Sequence, residues 1–214
     1  MTLPHAVIIA GGQGIRLGGL RKADLRLGGR RQLDRVIAAL GAVRHPIMVA
    51  SGPPSQFLAL PTTCVGVADR DSPCAGPLAG LVAAVAQLAE SGITTGLLVS
   101  VAVDTGFLPE DFIPHMIAEL GDAAGAYASW GEDFYPPNAI WRLEWLQHLP
   151  RAADSAEAPA SLKALQHQLG ARRVDWAGTT AANPFANINT LADLLTLQRI
   201  ALGQATVATY SQRR

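Results

Sequence analysis

Ala6-Val7-Ile8-Ile9-Ala10-Gly11-Gly12-Gln13-Gly14-Ile15-Arg16-Leu17-Gly18-Gly19-Leu20-Arg21-Lys22 decides how this chain is read. A short apolar run, suited to a buried parallel strand, empties into a loop with five glycines, Arg16 inside it and Lys22 at its end. Glycine lets backbone N–H groups turn toward a ligand with no Cβ in the way, and such nests of donors bind anions. Arg16 brings a planar fork and Lys22 a point charge, both suited to phosphate oxygens. The segment reads as a cradle for a nucleoside triphosphate. The plainer alternative is a glycine-rich surface loop.

Two better-known cradles do not fit. Gly14 and Gly19 have the spacing of a Walker loop, but Leu20 stands where the lysine belongs. Gly12 and Gly14 begin a dinucleotide fingerprint, but Leu17 replaces its third glycine, so Asp34 is a weak candidate for a ribose contact.

The loop resembles the signature of the molybdenum cofactor guanylyltransferase family, roughly Leu-Ala-Gly-Gly-x-x-x-Arg-Met-Gly-Gly-x-Asp-Lys. Ile9-Ala10-Gly11-Gly12, Arg16-Leu17-Gly18-Gly19 and Lys22 fall in register without a gap. The resemblance continues at Asp69, Gly76-Pro77-Leu78-Ala79-Gly80, Asp104-Thr105 and Phe185-Ala186-Asn187-Ile188-Asn189-Thr190, in order along almost the whole chain. Departures are Arg21 for the usual Asp before the lysine, Ala50 for an Asn after the second strand, and Gly106 for the Pro after Asp-Thr. The Gly-x-Pro-Leu run before the first helix is here Gly29-Arg30-Arg31-Gln32.

The 214 residues suit one domain, read as residues 1–203 with a frayed tail at 204–214. Nearly half of them are apolar, and 17 basic residues balance 17 acidic ones. That balance leaves no footprint for duplex nucleic acid or an anionic membrane. Two cysteines make no disulfide framework, no run approaches a membrane span, and no secretory leader is evident, so a cytoplasmic protein is expected.

Short β-rich runs at 6–10, 46–50, 63–67 and 97–103 alternate with helical patterns at 33–40, 55–60, 78–90 and 110–120. Pro114 is awkward in the last of these and either kinks it or marks its first turn. Strands at 124–129 and 138–141 flank a loop at 130–137. A mobile connection at 151–159, a helix at 160–168, a strand at 172–176 and a terminal helix at 191–202 follow. Strands apolar throughout and alternating with helices predict an α/β fold, a three-layer α/β/α domain with a Rossmann-like, mainly parallel sheet. The resemblance makes it a sheet of the nucleotidyltransferase type.

Asp104 follows the apolar run 97–103 and so sits at the carboxyl end of a buried strand, where open α/β sheets bind ligands. A carboxylate there suits Mg²⁺, which takes one or two protein carboxylates and fills its shell with phosphate and water. The alternative is a helix cap. Asp69 ends the run 64–68 in the same position, with Asp71 two residues on. The resemblance makes Asp69 a nucleotide contact, whereas the composition alone also fits a turn. Gly76-Pro77 opens a helix whose free amides suit an anion or a base edge, or merely begin a helix. Asn187 and Asn189 flank Ile188 at strand spacing and share a face, suited to a heterocycle or phosphate, unless Asn189-Thr190 only caps the last helix. The histidines show no zinc spacing and there is no serine-hydrolase elbow. Trp141 and Trp145 read as packing residues at helical spacing.

The resemblance implies Mg²⁺-dependent transfer of GMP from GTP to a molybdopterin-type cofactor with release of pyrophosphate. Catalytic residues are then Arg16, Lys22 and Asp104, with Asp104 on the metal. Nucleotide contacts are Ile9, Ala10, Gly11, Gly12, Lys22, Asp69, Gly76 and Asp104, and acceptor contacts are Asn187 and Asn189. Molybdoenzymes or cofactor-delivery proteins would be further partners. Two alternatives stand beside this: transfer to another phosphorylated acceptor or from CTP, and a non-catalytic nucleotide- or cofactor-binding accessory protein.

Overall fold

Val7, Ile8 and Ile9 are consecutive apolar residues because both faces of their strand are covered. In the computed structural model, residues 2–11, 18–52, 58–70, 73–155 and 158–211 are described, the last eight by backbone alone. The chain runs β1 (His5–Ile9), a 3-10 turn (Lys22–Asp24), β2 (Arg26–Leu27), β3 (Arg30–Arg31), α1 (Gln32–Ala39), β4 (Ile47–Ala50) and β5 (Cys64–Val67). It continues through α2 (Gly76–Glu90), β6 (Leu97–Ala102), α3 (Phe112–Leu120), β7 (Gly125–Trp130) and β8 (Asp133–Arg142). Then come the short helices α4 (Leu143–Leu146) and α5 (Leu149–Ala152), α6 (Leu162–Gln168), β9 (Arg172–Asp175) and α7 (Leu191–Ser211).

Seven strands form one sheet in the order β5-β4-β1-β6-β8-β7-β9. Within it β5, β4, β1 and β6 are parallel, β8 runs against both β6 and β7, and β9 is parallel to β7. Alternate residues of β1 feed opposite cores. Ala6 and Ile8 pack with Leu33 and Val36 of α1 and with Phe112 and Met116 of α3. Val7 and Ile9 pack with Leu78, Leu81 and Val85 of α2. Burying such a side chain contributes about 1.5–3 kcal/mol, so the doubly covered central strands anchor a three-layer α/β/α fold. Helix α2 presses hard on this sheet: a Cβ on Gly80 would lie 2.9 Å from the Ala50 Cβ and 3.5 Å from Ile9. Gly80 therefore serves close contact with the sheet.

The strands predicted at 6–10, 46–50, 63–67 and 97–103 are β1, β4, β5 and β6, each within one residue of its expected bounds. Pro114 is the third residue of α3 and marks its first turn. Residues 58–60 are irregular, and 55–57, the rest of the helix expected at 55–60, lie outside the described residues. Three expectations change. The stretch read as the loop 130–137 is mostly strand, because β7 and β8 form a tight hairpin pairing Trp130 with Asp133. Pro136 and Pro137 hid it, since proline cannot donate to a ladder, and register indeed shifts at Tyr127/Ala128 where they fall. Trp141 lies on β8, fully buried, while Trp145 on α4 is exposed, so the two do not share a helix. The terminal helix continues beyond 202 to Ser211, through part of the tail read as frayed.

A second, smaller sheet pairs β2 with β3 across Gly28-Gly29, both at positive φ as the twist of a two-residue hairpin requires. Its Leu27 joins Leu25, Ile188, Leu197 and Ala201 in a separate apolar cluster, and the Gln198 side chain accepts from the Gly28 amide at 2.8 Å. Through this cluster α7 holds the segment Asn187–Asn189 against the turn that carries Lys22. Among the described residues no helix is long and apolar enough to cross a membrane.

Candidate active site

A cleft of about 260 Å³ opens at the carboxyl edge of β1 and β6. Ile9, Ala10 and Gly11 form its floor; Lys22, Asp104 and Asn187 carry its polar groups, and Phe134 to Asn138 wall one side. With Pro77, the sequence thus converges on one place from six separate segments.

Asp104 follows the last residue of β6 by two positions, and the turn beneath it is tied twice. The Ala102 amide donates to Asn138 Oδ1 at 2.9 Å, and the Thr105 hydroxyl donates to the Ala102 carbonyl at 2.7 Å with Asn138 Oδ1 3.2 Å away. Because the Ala102 amide can only donate, Asn138 must offer its oxygen there. Its Nδ2 is buried with no partner among the described residues. Asn138 is itself placed by a buried chain, Trp141 Nε1 donating to Ser100 Oγ at 2.9 Å and Ser100 Oγ to the Pro137 carbonyl at 2.8 Å. Sequence reasoning missed Asn138. Its only signal was a polar residue opening an apolar strand run.

Lys22 joins the halves of the cleft. Its ammonium donates to Asp104 Oδ2 at 2.6 Å and to Asn189 Oδ1 at 2.7 Å. The Lys22 and Asp104 side chains are only 20% and 12% exposed, so water screens this pair less than a surface ion pair. Asp104 therefore faces an ammonium, and not Asp69, which stands three strands away on the β5 side. It caps no helix, since α3 begins at Phe112 behind Asp111.

Asn189 and Thr190 make separate contacts here. The Asn189 side chain reaches Lys22, while the cap belongs to Thr190, whose hydroxyl accepts from the Asp193 amide at 3.2 Å. Asp193 Oδ2 in return accepts from the Asn189 and Thr190 amides at 3.0 and 2.8 Å, a reciprocal capping box. Asn187 lines the cleft, and its Oδ1 is buried without a partner among the described residues. Phe185 and Ile188, both fully buried, fix this segment from either side of Asn187.

Asp69 lies at the same carboxyl edge but outside the cleft lining. Its amide donates to the Gly52 carbonyl at 3.1 Å, and an added Cβ on Gly11 would lie 3.4 Å from the Gly52 nitrogen, so the two segments are neighbours through Gly52. Burial holds its carboxyl above the usual carboxylate range. Gly76 stands at φ +61° at the head of α2, exposed, and Pro77 rather than Gly76 reaches the cleft. Gly12, Arg16 and Asp71 lie outside the described residues.

Asp34 is taken up by Arg31 at 2.8 Å on α1 and does not reach the cleft. The departures from the family pattern also find places. Arg21 pairs with Asp24 at 2.7 Å, and Ala50 is buried against Gly80. Gly106 and Gln32 go together: a Cβ at Gly106 would lie 2.6 Å from Gln32 Nε2, so the buried glutamine fills the space that a side chain there would need.

The Asp69 environment gives a signed prediction. A carboxyl raised by burial binds its proton more readily folded than unfolded, so it weakens the native state above the folded value and ceases to do so below the unfolded one. Asp69→Asn is expected to melt higher than the parent at pH 7 without ligand. The difference should shrink as pH falls through the carboxylate range. Thermal melts of both proteins at pH 7 and pH 4 check it; a parent as stable as the variant at pH 7 contradicts it.

Comparison with known proteins gives a consistent picture. Residues 6–172 match the family model of the MobA-like NTP transferase domain. A molybdenum cofactor guanylyltransferase of Acidiphilium cryptum is 38% identical over 193 residues, 89% of this chain and 91% of the relative. One from Rhodobacter capsulatus is 37% identical over 191 residues, 88% and 91% of the two chains. Among solved structures, molybdopterin-guanine dinucleotide biosynthesis protein A from Archaeoglobus fulgidus superposes with a TM-score of 0.69 at 17% identity, covering 92% of this chain and 97% of that one. The 2-C-methyl-D-erythritol 4-phosphate cytidylyltransferase of Thermus thermophilus shares the fold at a TM-score of 0.63 and 18% identity, covering 94% and 99%.

Proposed function

The chain belongs to the MobA-like NTP transferase family, and from that membership we propose that it transfers GMP from GTP to a molybdopterin-type cofactor, releasing pyrophosphate. The observation that carries the reading is Lys22, whose ammonium lines the cleft and bridges Asp104 on the β6 edge to Asn189 beside α7. A cation and a carboxylate stand together where the first strand empties its glycine loop, and two amides stand opposite.

In this reading the Gly11 amide and Lys22 hold the triphosphate, and Gly12 and Arg16 complete the cradle. Ile9 and Ala10 shape its floor, while Asp69 and the Gly76 turn lie on the nucleoside side. Asn187 and Asn189 bind the acceptor. A phosphate oxygen of the acceptor attacks the α-phosphorus, the bond from that phosphorus to the bridging oxygen breaks, and that oxygen leaves with pyrophosphate. Such a transfer needs positioning and charge neutralisation more than a protein nucleophile.

Among the described residues no group of three or more His, Cys, Asp or Glu gathers to cage a metal. Mg²⁺ does not require one, since phosphate oxygens and water complete its shell. Asp104 Oδ2 already accommodates a positive charge at 2.6 Å, so the site fits a single-carboxylate Mg²⁺. That ion, when bound, would neutralise charge developing on the phosphoryl oxygens. The proposal takes residues 1–203 as one nucleotidyltransferase domain and the cytoplasm as its compartment. Molybdoenzymes or delivery proteins would receive its product.

Nucleotide choice tests the reading. GTP is expected to bind at least tenfold tighter than CTP or ATP in titration calorimetry with Mg²⁺. Equal or tighter CTP binding would replace guanylyl by cytidylyl transfer.

A further inference from the structure

Lys22 stands in two half-sites at once. Its ammonium spends one N–H on Asp104 and another on Asn189, which are 82 and 167 positions away along the chain. If the nucleotide and acceptor sites are those proposed above, this ammonium occupies a group that each substrate needs. We propose that Lys22 is a latch that couples the two substrates: without nucleotide it closes the Asn189 oxygen to the acceptor, and the triphosphate draws it away.

The two partners are fixed and the lysine is not. Asp104 is held in its turn by the Ala102–Thr105–Asn138 hydrogen bonds. Asn189 is pinned at its backbone by Asp193 and by the fully buried Ile188 beside it. With their backbones held and their side chains short, neither reaches as far as the lysine does. The Lys22 backbone is equally anchored, by the 3-10 turn whose Ala23 is buried, but its four-carbon stem turns freely. Motion on nucleotide binding is therefore confined to one side chain.

The charges favour release. Lys22 and Asp104 are the charged residues among those described that line the cleft. A triphosphate carries several negative charges and competes for the ammonium better than one carboxylate and one neutral amide. A divalent cation arriving with it satisfies Asp104 in place of the lysine. Asn189 Oδ1 is then left without its donor, open to an N–H or O–H of the acceptor. Binding thus becomes ordered, nucleotide first, and the coupling is reciprocal.

Affinity measurements separate this from the function reading. The probes are molybdopterin as acceptor and α,β-methylene GTP with Mg²⁺ as a nucleotide that cannot transfer. The parent protein should bind molybdopterin at least tenfold tighter with the nucleotide than without, about 1.4 kcal/mol of coupling. The nucleotide should gain the same factor from molybdopterin. Lys22→Met keeps the apolar stem and removes the ammonium, and a thermal melt establishes that it is folded. Without nucleotide it should bind molybdopterin more tightly than the parent does, with little further gain when nucleotide is added. Equal molybdopterin affinity of the parent with and without nucleotide overturns the latch and leaves the function reading standing. Weaker or unchanged binding by Lys22→Met in the absence of nucleotide also overturns it. A parent that binds molybdopterin under neither condition removes both.

Discussion

Replacing Asp104 with alanine is expected to cut GMP transfer at least a hundredfold at saturating GTP and Mg²⁺, with a much smaller loss of GTP affinity. Among the described residues Asp104 is the carboxylate that lines the cleft, two residues past a strand paired with β1 over Leu98–Ala102 and with β8 over Leu97–Ser100. Charge that grows on the phosphoryl oxygens only in the transition state is what a metal carboxylate helps to neutralise. Losing one such electrostatic stabiliser costs about 3 kcal/mol or more in comparable sites. The fold should survive. Truncation leaves Lys22 its bond to Asn189 and partial access to water, so stability should fall by no more than about 1.5–3 kcal/mol, the worth of one charged hydrogen bond. Asp104→Asn keeps an acceptor for Lys22 and should melt closer to the parent while transferring as poorly as the alanine variant. Turnover near that of the parent in either variant would show that another group holds the metal.

Lys22→Ala is expected to weaken triphosphate binding tenfold or more and to lower transfer further. The estimate rests on one charge-assisted hydrogen bond, worth about 1.5–3 kcal/mol. Guanosine, which lacks the phosphates, should bind both proteins alike. That contrast separates loss of a phosphate contact from collapse of the cleft. The apolar groups around the turn, Ala23, Leu25 and Leu27, do not depend on the ammonium, so the melting temperature should change by only a few degrees. Arginine is not an equivalent replacement, because its planar fork cannot occupy the point between Asp104 and Asn189 in the same way. Unchanged turnover in Lys22→Ala would remove the lysine from the mechanism.

The parallel half of the sheet was legible because doubly buried strands read as unbroken apolar runs, as at Val7–Ile9 and Ile47–Ala50. Asp104 was legible for the same reason: a carboxylate at the end of such a run has one place to go. The antiparallel half was harder. Pro136 and Pro137 interrupt β8 in sequence but are absorbed by the register shift against β7, and that irregularity brings Phe134 and Asn138 to the cleft. The small hairpin at Gly28-Gly29 was lost among the other glycines of the opening loop. Its partner is the distant α7, a contact no local pattern reveals. The two asparagines were placed correctly in one neighbourhood, but the partition of labour there was not readable. Only the folded arrangement separates the Asn189 side chain on Lys22 from the Thr190 cap on α7. Likewise Gly106 reads alone as a departure, and becomes intelligible once Gln32 is seen to fill its space.

Guanylyl transfer is tested by following the atoms. The protein is incubated anaerobically with Mg²⁺, molybdopterin and GTP labelled at the α-phosphate, and both products are measured. The account predicts label in a molybdopterin–guanine dinucleotide, with one pyrophosphate released per dinucleotide formed, and none of either product when molybdopterin is omitted. Pyrophosphate without a labelled dinucleotide, or a dinucleotide formed faster from CTP than from GTP, would contradict it.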